Sequence, residues 1–93
     1  MRRYMIERSL PGVGGLTAQQ LCEAAAKSNA ALAELSPYVQ WIESYVSADG
    51  THCVYLATNE DVIRRHAELS GFPANKITEI KTMIDPTTAH APA

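Results

Sequence analysis

The sequence predicts an α+β domain in which a four-stranded antiparallel sheet carries two helices on one face, and three observations lead there. Four short runs alternate polar and apolar residues with the period of a strand, and two longer runs between them place apolar residues three and four apart. Pro11, Asp49-Gly50 and Gly71 punctuate the joins. Ninety-three residues suffice for one compact core and not for two, so residues 1–85 are expected to form a single domain and 86–93 a flexible tail.

Arg3 to Ser9 alternates around Tyr4, Met5, Ile6, Glu7 and Arg8 and reads as a first strand with at least one polar-tolerant face that stops at Pro11. Pro11 to Gly15 is loop chemistry, and Thr17 with Gln20 forms a capping box that opens a helix reaching about Leu35. Leu21, Ala25, Ser28, Leu32 and Leu35 make its inner stripe, and Ser36-Pro37 ends it. Val39 to Val46 alternates again, Asp49-Gly50 turns the chain, and a third strand runs from Gly50 toward Asn59. Asn59 caps a second helix with Glu60 and Asp61 in its first turn, and Gly71 followed by Pro73 closes it. Glu60–Arg64 and Asp61–Arg65 have the spacing of helix-supporting pairs, so neither arginine requires a ligand. Ile77 to Ile84 supplies a fourth strand.

The order β-α-β-β-α-β is that of the ferredoxin-like split motif, whose right-handed crossovers leave one sheet face uncovered. The hairpin register decides what that face carries. A two-residue Asp49-Gly50 turn places Val46 opposite Cys53, and a three-residue turn ending in a glycine bulge places Tyr45 opposite Cys53 and Glu43 opposite Tyr55. The second gathers Ile42, Val46, Val54 and Leu56 on one aliphatic face, and is preferred for that reason. The uncovered face then carries Glu7, Trp41, Glu43, Tyr45, Cys53, Tyr55, Glu79 and Met83.

A formal net charge of −2 without a basic stripe argues against nucleic acid and anionic membrane as partners. No apolar run approaches the roughly 20 residues of a membrane span, and Met1-Arg2-Arg3 leads into alternating residues without a signal-type apolar core, so a cytoplasmic protein is expected. Cys22 and Cys53 lie in different elements, which implies two free thiols. A domain this small gains stability by pairing, and a homodimer is expected.

Two places could hold chemistry. Carboxylates among aromatics on the uncovered face suit a hard metal ion or acid–base work, or simply a dimer interface. His66 stands on the inner face of the second helix beside Val62 and Leu69, either as a satisfied core histidine or as a metal ligand. His52 lies next to the turn and His90 in the tail, and no HxH, HExxH or CxxC spacing occurs, so any metal site must be assembled by the fold. Arg8 near the end of the first strand lacks the glycine-arginine loop of an acylphosphatase-like site. The glycines before the first helix lack the lysine of a phosphate loop and are read as a turn.

The segments RYMIERSLPG, AAAKSNAALAEL, VQWIESYVSADGTHCVYLATNEDVIRRHAELSGFPANKITEI and IDPTTA resemble a family of small bacterial nickel-binding, nickel-responsive proteins with a dimeric ferredoxin-like fold. The likeness extends to Ala89, and CVY and IRRHAELSGFP are its most distinctive pieces. It implies divalent metal binding, nickel first, with no catalytic reaction. Relatives often carry histidine in the second strand where this chain has Glu43, a harder ligand that tilts preference toward manganese, iron or zinc. The function expected is therefore a non-catalytic metal buffer or sensor-like module, with Glu43 and His66 as ligands and Cys53, Glu7 and Glu79 nearby. The alternative is a small-molecule enzyme of the dimeric αβ-barrel type, using the uncovered face as a pocket and Glu43 as general base. A helix packed on the covered face keeps His66 away from Glu43, so the two belong to separate sites unless Glu43 turns toward the helix.

Overall fold

The computed structural model describes residues 1–90 and orders them as β1 (Arg2–Ser9), a 3-10 turn (Val13–Gly15), α1 (Ala18–Leu35), β2 (Val39–Val46), β3 (Gly50–Ala57), α2 (Glu60–Ser70), β4 (Lys76–Ile80) and a second 3-10 turn (Pro86–His90). The strands form one antiparallel sheet in the order β2-β3-β1-β4, the ferredoxin-like arrangement. Among the described residues no helix is long and apolar enough to cross a membrane.

Local chemistry sets the helix ends. The Thr17 hydroxyl accepts from Gln20 N while the Gln20 side chain accepts from Thr17 N, which satisfies two donors that the first turn leaves free. Asn59 Oδ1 accepts from Val62 N at the start of α2, and Gly71, at φ 78°, takes the left-handed position that ends it. Arg64 pairs with Glu60 as its spacing predicts, but Arg65 turns forward to Glu68 at 2.9 Å instead of back to Asp61. The core lies between the helices and the sheet, built on Tyr4, Ile6, Val39, Cys53, Tyr55, Ala57 and Ile63, with Leu32, Leu35 and Ile77 packed around them.

The hairpin register departs from both readings of the sequence. Ser47 N donates to Gly50 O at 2.9 Å, so Ala48 and Asp49 occupy the tip, and Val46 pairs with Thr51, Tyr45 with His52 and Ser44 with Cys53. The register then shifts between Trp41 and Glu43, leaving Ile42 as the extra residue of a bulge and Trp41 opposite Tyr55. Trp41 Nε1 donates to Ser44 Oγ at 2.9 Å across it. Because side chains alternate, this bulge puts Trp41 and Ser44 on the covered face with Cys53 and Tyr55, and Glu43 and Tyr45 on the open face with His52 and Val54. The expected placement of Trp41, Cys53 and Tyr55 on the uncovered face is thus corrected, as is that of Glu79, which pairs with the core residue Tyr4, and that of Glu7, Glu43 and Tyr45 is kept.

Asp49 also ties the hairpin to the loop after β1. Its carbonyl accepts from Leu10 N and its carboxylate from Gly12 N, both at 2.9 Å. Gly14 N donates to Ala48 O at 3.0 Å, and a Cβ on Gly14 would stand 2.7 Å from Ala48 Cα, so only glycine permits this approach. At the other end β4 stops at Ile80, short of the Ile84 expected from alternation. Of the expected tail, Pro86–His90 form a 3-10 turn capped by Asp85, whose carboxylate accepts from Thr87 N and Thr87 Oγ1, and 91–93 lie outside the described residues.

Candidate functional site

The two faces of the sheet present two candidate sites. On the open face Glu7 pairs across the β1–β3 ladder with His52, and its Oε1 stands 3.5 Å from His52 Nε2. Lys76 Nζ approaches the other oxygen at 3.9 Å. One strand further along, Tyr45 lies opposite His52 and donates its hydroxyl to Glu43. The Glu43 carboxylate, through that hydrogen bond and its charge, holds the Tyr45 phenol above its ordinary range. Beside these groups Arg3, Met5, Val54, Ile80 and Met83 border a shallow, partly apolar cleft of about 590 Å³.

On the covered face His66 is fully buried and its Nε2 lies 3.1 Å from Ser28 Oγ of α1. Its Nδ1 has no hydrogen-bond partner, and its ring lies 5.4 Å from that of Tyr55. Burial, reinforced by the Arg8 charge, pushes the imidazole below its ordinary pKa, so it is held neutral. Burial likewise raises the Tyr55 hydroxyl, an effect that Arg8 partly opposes. Cys53 is buried nearby with its thiol 3.5 Å from Thr51 Oγ1.

The residues singled out from the sequence therefore do not converge within one chain. Glu7 and Glu43 share the open face, whereas Cys53 and His66 lie on the covered side. Glu79 pairs with Tyr4 at the sheet edge and is engaged by Arg2 at 3.4 Å and Lys81 at 3.1 Å. Among the described residues no three His, Cys, Asp or Glu side chains group so as to hold a metal ion. The imidazole–carboxylate pair of His52 and Glu7 has the donor chemistry of a borderline divalent cation. The neighbourhood of His66 does not, because the Arg8 guanidinium repels a cation there.

Sequence reasoning missed two of these residues. In the sequence His52 is only a neighbour of the turn, and its apposition to Glu7 follows from strand pairing between distant segments. Arg8 sits in an alternating strand like any polar residue, and the sequence holds no sign that α1 and the loop after β1 would bury it to 6% exposure.

Comparison with known proteins joins this geometry to a family. No curated protein matches the chain. The crystal structure of SCO4226 from Streptomyces coelicolor A3(2) is similar to it with a TM-score of 0.72, covering 88% of this chain and 99% of that one at 20% sequence identity. At that identity the likeness is one of fold. Residues 4–80 match the family described as nickel responsive protein SCO4226-like, a span that contains β1 from Tyr4 onward, the other three strands, both helices and every residue of the two candidate sites except the outlying Met83 and Arg3, and the chain belongs to that family.

Proposed function

We propose that this protein is a non-catalytic divalent-metal-binding module, a nickel buffer or sensor, that acts as a homodimer through its open sheet face. The observation that carries the reading is the apposition of His52 Nε2 and Glu7 Oε1 at 3.5 Å on that face. An imidazole and a carboxylate offer half of the coordination that nickel or a similar ion takes, and a twofold-related copy would offer the same pair again. Glu43, held by Tyr45, is a third donor residue of the same surface and its second carboxylate. The exposed Ile42, Tyr45 and Met83 supply apolar area for a second subunit to cover. The family's description as nickel responsive accords with this choice of ion. Cys53, His66 and Glu79 take no part in it, because all three lie on the other side of the sheet and Glu79 is in addition paired with Arg2 and Lys81.

The test is calorimetric titration of tag-free, metal-free protein with nickel, together with native mass measurement. Wild type is expected to bind one ion per dimer. Glu7→Gln and His52→Ala should each weaken binding by at least the roughly 10- to 100-fold that loss of an outer-shell partner already costs. His66→Ala should leave it unchanged. Full-strength binding in both open-face variants, or a monomer that binds as tightly as the dimer, would sink the assignment.

A further inference from the structure

Under α1 lies a charge that the chain does not balance. Arg8 points from β1 into a cleft of about 550 Å³ between α1, the sheet and the loop after β1. It is 6% exposed, and its Nε and Nη2 have no hydrogen-bond partner. Among the described residues no carboxylate forms an ion pair with it. Its nearest aromatic partner is Tyr55, whose ring centroid is 5.7 Å from the guanidinium carbon. The other polar groups around the cleft, among them Ser28, Ser44 and Thr51, are neutral. A guanidinium withdrawn from water without a counter-charge is costly, and a fold that retains one holds a prepared anion site.

We propose that this cleft binds a small organic monoanion, a carboxylate on an apolar body, with the carboxylate taken by Arg8. The two unpartnered nitrogens lie on the same edge of the guanidinium, and that edge presents two parallel N–H groups matching the two oxygens of a carboxylate. The walls fix the rest of the ligand. Leu21 and Ala25 of α1, Trp41 and Val46 of β2, and Phe72 after α2 offer an apolar lining. One buried cation balances one negative charge, which selects a carboxylate over a phosphate dianion. The volume falls within the roughly 300–1,000 Å³ of small-molecule clefts, too little for a folded partner. The site is separate from the metal reading, since the sheet stands between Arg8 and the Glu7–His52 pair.

Trp41 is the sole tryptophan and lines the cleft, so its fluorescence reports occupancy. Tag-free protein is titrated with octanoate, 4-phenylbutyrate, octanamide and inorganic phosphate, followed by Trp41 fluorescence and calorimetry. At least one of the two carboxylates should bind saturably, and octanoate should bind about 10- to 100-fold more tightly than octanamide, the worth of hydrogen bonds to a charged group. Phosphate should not compete. Arg8→Met keeps the aliphatic stem and should reduce octanoate to the level of octanamide, and Ala25→Phe, which fills the cleft, should abolish both. Nickel binding should persist in both variants, so the two readings fail separately. Equal affinity of wild type for octanoate and octanamide overturns the proposal without recourse to a variant. So does undiminished octanoate binding by Arg8→Met, displacement of octanoate by phosphate, or the absence of binding by either carboxylate.

Discussion

On the open face of the sheet Glu7 stands between His52 and Lys76, and Glu43 accepts from Tyr45, all of them within reach of water. On the covered face, one residue along the same strand, Arg8 is enclosed with two unpartnered nitrogens, and on the same side of the sheet His66 of α2 is buried with an unpartnered Nδ1. Strand alternation deals residues to both faces alike, but the helices turn one side into a low-dielectric interior where an unpaired group is expensive. Adjacent positions of β1 therefore differ in kind: a charge on the open face tunes a surface, and a charge on the covered face calls for a partner.

Substitutions in neighbouring residues sharpen that contrast. Ile6 is fully buried, so Ile6→Ala should lower unfolding stability by about 2–5 kcal/mol, whereas Glu7→Ala next to it should stay within roughly 0.5 kcal/mol. Urea unfolding measures both, and comparable losses would break the distinction between the faces.

Acidification should act through the covered face. His66 is held below its ordinary pKa of 6.5 by burial and by Arg8, with Tyr55 and Ser28 as its other neighbours. The unfolded chain then takes up a proton that the folded chain refuses. Its contribution is complete above about 6.5 and declines as pH falls from there toward the lower folded value. The urea midpoint should drop across that interval in wild type and drop less in His66→Gln, and identical pH profiles would contradict a buried neutral imidazole.

Thr17→Ala probes the roof over the covered face by removing the capping box of α1, and should cost about 1 kcal/mol. A smaller effect belongs to solvent-exposed charge: a double-mutant cycle on Glu60 and Arg64, 3.1 Å apart, should return a coupling of about 0.3–0.5 kcal/mol that fades with added salt.

Most of the fold was legible in the sequence. Thr17 and Gln20, Asn59, and Gly71 before Pro73 marked the helix ends because capping is settled by residues within a few positions of one another. The candidate sites were less legible. Alternation assigns Glu7 and Glu43 to the open face as found, but it gives no sign of His52 and puts Cys53 and Glu79 on the wrong side. The Asp49-Gly50 pair signalled a turn without fixing its register: Gly50 closes the hairpin with Ser47 instead of occupying its tip, and the bulge at Ile42 absorbs the difference.

The sequence by itself determined the α+β class, the β-α-β-β-α-β order and the helix boundaries, because alternation, capping and turn chemistry are short-range. Only the tertiary structure decided three things: that one extra residue in β2 sends Trp41 inward and Glu43 outward, that β1 and β3 bring Glu7 to His52, and that α1 closes over Arg8. Each depends on pairing or packing between segments distant along the chain, and a shift of one residue in such pairing exchanges the faces.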